Sequence, residues 1–188
     1  MIGQLVRHKF TVEQYHQMAA NGILAPSDRL ELINGEIIEM SPIGIRQASC
    51  VRRSLNLLAK KLGDLAIIDA QDPIKLNDSS EPQPDIAVLR TRTDFYATAH
   101  PQPQDILLLI EVADTTINSD RQVKVPLYAS NGITELWLID LNNQIIEVYY
   151  EPIGDRYRYM QLFQSGQTIH LQAFPHISFD IDEILGLI

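Results

Sequence analysis

Between Asp105 and Val112 the chain reads Asp-Ile-Leu-Leu-Leu-Ile-Glu-Val, and its unbroken apolar centre cannot lie on a sheet that keeps one face wet. A strand of this kind must be covered on both sides, so the sequence has to supply helices for two faces of a sheet. The run is far too short to cross a bilayer, which takes roughly 20 apolar residues. The 105–112 segment therefore reads as a central strand, and Glu135-Leu-Trp-Leu-Ile-Asp140 as another buried one.

The covering elements can be found by periodicity. Thr11 followed by Gln14 forms a capping-box signature, and Gly22 supplies a stop, so a short helix is expected over Thr11 to Ala20. Arg29 to Ile33 and Glu36 to Met40 flank Asn34-Gly35, the strongest short-range signal for a hairpin. From Arg46 to Leu62, Val51, Leu55, Leu58 and Leu62 recur at helical spacing before Gly63, which predicts a longer helix. Leu65 to Asp69, Ile74 to Leu76 and Asp85 to Leu89 read as strands. Ser119 to Ser130 reads as a helix kinked or divided at Pro126, which lacks a backbone donor. After Asp140 the turn Asn142-Asn143 leads into alternating strands over Gln144 to Tyr150 and Arg156 to Phe163, an antiparallel extension. No repeat or long linker interrupts the order, so one α/β domain over residues 1–188 with a central mixed sheet is expected.

The 188 residues are 45% hydrophobic and 21% charged, enough to build a core without staples. The only cysteine, Cys50, excludes an intrachain disulfide scaffold, and its place on the long helix reads as a buried small apolar residue. With no export signal at the N-terminus and no membrane-length run, a cytoplasmic protein is expected. The formal charge of −9, from 24 acidic against 15 basic residues, argues against general coating of a nucleic-acid backbone but leaves room for a local basic groove.

Asp85 opens one strand and Glu111 lies near the end of the next strongly apolar one, where it interrupts the hydrophobic run. Two carboxylates on neighbouring strand ends can converge on a hard cation such as Mg2+ or Mn2+, which acidifies bound water and polarises phosphoryl oxygen. Exposed strand-end acids are an equally economical reading of these two residues alone. Asp120, Lys124 and Tyr128 follow at i, i+4 and i+8 on one helix face, either as an ordinary solvated pair or as a lysine aimed at developing negative charge. No glycine-rich phosphate loop follows any expected strand, so no nucleotide cofactor is implied.

Taken together, Pro84-Asp85, Ile110-Glu111-Val112, Asp120-Arg121 with Lys124, Tyr128-Ala129, Gly132-Ile133 and Glu135 to Asp140 resemble the Uma-two family, of restriction-endonuclease type within the PD-(D/E)XK nuclease superfamily. The Glu31-Leu-Ile-Asn-Gly-Glu36 hairpin and Met40-Ser-Pro extend the resemblance over most of the chain, through about Tyr149. The resemblance implies a restriction-endonuclease-like fold, Asp85 and Glu111 as ligands of Mg2+ or Mn2+, and DNA as the substrate. The superfamily's usual lysine, two residues after the glutamate, would be at position 113, where Ala113 stands; the resemblance carries that role to Lys124, supported by Asp120 and Tyr128. Gln47 stands where the family commonly has histidine. Asp114 is expected as an acid behind the ligands or as a helix cap, and Glu36, ahead of Glu31, as an additional acid from the hairpin.

Three other features bear on partners. Arg46, Arg53 and Lys60 fall at i, i+7 and i+14 of the long helix, a face able to follow a phosphate backbone or simply to be solvated. Tyr149, Tyr150, Tyr157, Tyr159 and Phe163 alternate along the last strands, suiting cross-strand packing or a homodimer surface. His8, His16, His100, His170 and His176 show no metal-ligand spacing and are given no catalytic role. The expectation is therefore a metal-dependent DNA endonuclease. Its rival is a nuclease fold that no longer cuts and serves binding or assembly.

Overall fold

The computed structural model describes residues 7–25 and 27–187. Its centre is a six-stranded sheet in the order β3-β4-β5-β6-β7-β8. These strands are β3 (Ile67–Asp69), β4 (Ile86–Leu89), β5 (Ile106–Ala113), β6 (Glu135–Asp140), β7 (Ile145–Ile153) and β8 (Arg156–Phe163). Only the β5–β6 pair is parallel; every other neighbour is antiparallel, so the sheet is mixed.

All eight residues of β5 and all six of β6 are buried, as their apolar runs require. One face of the sheet is closed by α2 (Ile45–Leu62), which buries Cys50, Val51, Leu58 and Leu62, together with the C-terminal elements. Those are the hairpin of β9 (Thr168–Leu171) with β10 (Phe174–Asp180), and the short helix α5 (Ile181–Leu185), none of which the sequence reading separated. Trp137 on β6 meets Phe179 of β10 edge to face at 5.7 Å between ring centroids. The opposite face buries Leu109 of β5 and Leu136 of β6 against Leu127, Tyr128 and Ile133.

The N-terminal helix α1 (Val12–Ala20) carries the expected capping box: the Thr11 hydroxyl accepts from Gln14 N, and the Gln14 side chain accepts from Thr11 N. The hairpin of β1 (Leu30–Ile33) and β2 (Glu36–Glu39) turns at Asn34 and Gly35 with φ of 49° and 77°. Two left-handed residues are what the tight turn needs, and Asn-Gly tolerates both.

Two expectations change. Ile74 to Leu76 forms no strand: Ile74 N and Leu76 N bond to Pro82 O and Ser80 O, but Pro82 and Pro84 carry no backbone N–H with which to return a ladder. The helix around Pro126 is neither kinked nor divided at the proline. It runs as α3 (Ile117–Ser119), a π turn over Asp120–Lys124, and α4 (Val125–Ser130). Val125 N reaches back five residues to Asp120 O, so the widened turn lies immediately before the proline. On the far edge, Tyr150 of β7 stacks on its cross-strand partner Tyr159 of β8 at 5.1 Å. No helix among the described residues is long and apolar enough to cross a membrane.

Candidate active site

The antiparallel pairing of β4 with β5 places Ile86 opposite Ile110, and so brings Asp85 beside the strand end that carries Glu111. Asp85 is fixed directly to that strand: its Oδ2 accepts from Val112 N at 2.9 Å. Gln47 of α2 donates to both Asp85 oxygens at 3.2 Å, and Gln71 donates to Oδ1 at 3.3 Å. Both glutamines thus orient the carboxylate without adding charge.

Glu111 faces the side of the sheet covered by the π turn and α4. Lys124 Nζ donates to its two oxygens at 3.0 and 3.1 Å, and the Tyr128 hydroxyl donates to Oε1 at 2.5 Å. The π turn is in turn anchored by Arg121, which pairs with Glu147 of β7 and reaches Asp140 of β6 at 3.4 Å. Asp120 is buried and accepts from the Thr116 hydroxyl at 2.7 Å. Asp85, Glu111, Lys124 and Asp120 line one cleft of about 400 Å3, together with Glu31, Glu36 and Gln47.

Burying several acids beside one cation shifts their proton affinities. Burial pushes Glu111 up to about 8 against the pull of Lys124, with Asp85 and Asp120 adding repulsion. Asp120 is raised for the same first reason, burial, opposed by its bond from Thr116 and by Lys124. Burial alone would draw Lys124 down, but the carboxylates of Glu111, Glu31 and Asp120 outweigh it and hold the ammonium above its ordinary range. Tyr128, fully buried beside Glu111, is raised well above a phenol's usual value and remains a proton donor.

Glu31 and Glu36 exchange the importance expected of them. Glu36, at the β2 end of the turn, is half-exposed and pairs with Lys9 at 2.8 Å at the mouth of the cleft. Glu31 is buried at 4% exposure, accepts from Gln83 N at 3.2 Å and lies 3.9 Å from Lys124 Nζ. Glu31 is therefore the hairpin acid that shares the lysine. Asp114 stands outside the cleft lining and neither backs the acids nor caps α3; it pairs with Arg46 at 2.8 Å. Arg46 also holds Leu141 O, and Arg53 bonds Ile184 O and Leu185 O at the end of α5. Two of the three expected basic positions on α2 thus bond backbone carbonyls, Arg53 partly buried and Arg46 still exposed, while Lys60 and the neighbouring Arg52 face solvent.

Residues 12–182 match the model of the Uma2 family, described as "Putative restriction endonuclease". The fold resembles the crystal structure of a protein described as "a putative nuclease belonging to DUF820" from Anabaena variabilis ATCC 29413. The TM-score is 0.76 at 15% sequence identity, covering 94% of this chain and 98% of that one. No curated protein matches the chain.

Proposed function

The chain belongs to the Uma2 family, and from that premise we propose that it is a metal-dependent endonuclease hydrolysing DNA phosphodiesters in the cleft of Asp85, Glu111 and Lys124. The observation that carries the reading is convergence. A carboxylate before β4, a carboxylate on β5 and an ammonium from the π turn meet in one cleft, although the chain separates them by 26 and 13 residues.

Asp85 and Glu111 would hold the ion, and their donors, all carboxylate oxygens, suit Mg2+ or Mn2+ better than a softer metal. When bound, such an ion polarises a phosphoryl oxygen and acidifies a water. The remaining work falls to the chain itself. Val112 N, Gln47 and Gln71 keep Asp85 oriented, and Tyr128 does the same for Glu111. Lys124, kept protonated by its three acidic neighbours, provides a cation to meet charge developing on the phosphate. Arg121, bonded to Glu147 and Asp140, holds the π turn so that Lys124 faces the acids rather than solvent. Lys124 thus takes the part of a strand lysine at Ala113, a position that lies on the same face of β5 as Glu111.

Cleavage of supercoiled and single-stranded DNA in Mg2+ or Mn2+, by the parent and by Glu111→Gln, tests the proposal. The parent should cut, and Glu111→Gln, which nearly preserves shape while removing the charge, should lose at least about 100-fold in rate. Absence of cutting by the parent would sink it.

One observation favours a second reading, a nuclease fold that binds without cutting. Ala113 stands where the superfamily's strand lysine would be, and Lys124 Nζ is bonded to both Glu111 oxygens at 3.0 and 3.1 Å, occupying the carboxylate that would hold an ion, while α2 keeps Arg46, Arg52 and Lys60 exposed for a phosphate backbone. DNA binding without cleavage in either metal would support it.

A further inference from the structure

A second cleft, with no lining residue in common with the first, lies between α1, the segment leading to β4 and the connector before β5. His16 enters it from α1, Glu81 from the segment and His100 from the connector. One imidazole nitrogen from each histidine and one Glu81 oxygen all lie within 4.8 Å of one another. His16 Nε2 is 2.6 Å from Glu81 Oε1, and the two imidazole rings are 6.2 Å apart between centroids.

Glu81 is the telling member. It is 3% exposed, yet its Oε2 has no hydrogen-bond partner. A buried carboxylate oxygen left without a donor is costly, and such groups in native folds are ordinarily paired or bound to a cation. A simple His16–Glu81 pair would account for Oε1 but for neither the orphan oxygen nor His100 beside it. Both histidines are exposed enough for an ion to enter from solvent.

We propose that His16, Glu81 and His100 form a binding site for a divalent transition ion of the zinc class, with solvent completing its shell. Two imidazoles and one carboxylate are a borderline donor set that suits Zn2+ and its neighbours; Mg2+ and Ca2+ prefer oxygen alone. Such an ion would join three segments far apart in sequence and tie α1 to the stretch Glu81-Pro-Gln-Pro-Asp85, which ends at a ligand of the proposed nuclease site. The inference stands on its own geometry and holds whether or not the acid cleft cuts DNA.

Titration of untagged, chelator-treated protein with Co2+ reads this site directly, because imidazole coordination in a four- or five-coordinate shell gives visible absorption. The parent should bind one such equivalent, displaced by Zn2+. His16→Ala and His100→Ala, at exposed positions, should each weaken binding by about 100-fold or more while keeping the parent's circular dichroism. Asp85→Asn, which alters only the acid cleft, should leave the absorption unchanged. The proposal is overturned if the parent shows no band, if the band survives either histidine substitution at unchanged affinity, or if Asp85→Asn abolishes it.

Discussion

Glu135 opens β6 with a fully buried side chain, accepting from Trp137 Nε1 at 2.7 Å and from Gln172 N at 2.8 Å. No cation approaches within ion-pair distance among the described residues, and burial pushes its carboxyl up to about 7 from an ordinary 4.5, against the two bonds that favour the anion. The folded protein therefore keeps a proton between pH 4.5 and about 7 that the unfolded chain has released. Stability from this group is fully present below pH 4.5 and is lost as pH rises to about 7. The shift is worth on the order of 3 kcal/mol in full, of which about 2 falls between roughly pH 5 and pH 7.5. Glu135→Gln is close to the protonated acid in shape and charge but does not titrate. Urea unfolding followed by circular dichroism and by the fluorescence of Trp137, the only tryptophan, gives the comparison. The variant should gain about 2 kcal/mol on the parent across that pH range, or about 5 °C in Tm for a chain of this size. Subtracting the two proteins cancels the contribution of Glu111, which is raised in the same direction. A difference that stays flat with pH, or that moves in the parent's favour, would mean that Glu135 ionises in the fold like an exposed glutamate.

Two further substitutions probe separate parts of the structure. Gly186, at φ 73° after α5, would direct an added Cβ to 2.5 Å from Arg53 Cζ, and Arg53 is held by Ser49, Ile184 O and Leu185 O; Gly186→Ala should therefore cost about 2–3 kcal/mol of unfolding free energy by urea titration. Arg29 lines the acid cleft with no ion-pair partner among the described residues, so Arg29→Ala should weaken DNA binding and lower the salt dependence of log K by about one contact, as read by titrations at several salt concentrations.

The parts of the molecule legible in the sequence are those where a local signal and the tertiary demand agree. The runs around Leu108 and Leu138 required burial on both faces, and Asn34-Gly35 required a tight hairpin; the fold has both. Where the outcome rests on contacts distant in sequence, the residues alone were silent. Glu31 and Glu36 look alike on a hairpin, and only the packing of β1 beside Lys124 distinguishes the buried acid from the exposed one. The π turn has no composition of its own beyond Pro126, yet it sets the spacing between Asp120 and Lys124. Arg46 and Arg53 make a basic stripe by periodicity, while the carbonyls that absorb them belong to residues 141, 184 and 185. Helix α5, five residues long at the end of the chain, is too short to announce itself by periodicity, although Asp180 caps it through Asp182 N. His16, Glu81 and His100 have no motif spacing at all, and only the fold makes them neighbours.

In the proposed mechanism Asp85 and Glu111 act as one oxygen-donor site. Calorimetric titration of the chelator-treated protein with Mn2+, comparing the parent with Asp85→Asn, tests that most directly, since the substitution keeps the side chain's size and removes its charge. With His100→Ala placed in both proteins to remove the imidazole site, the prediction is one Mn2+ bound when Asp85 is present and an affinity at least about 10-fold lower with Asp85→Asn. No binding when Asp85 is present, or equal binding by both proteins, would contradict the assignment of the cleft as a metal centre.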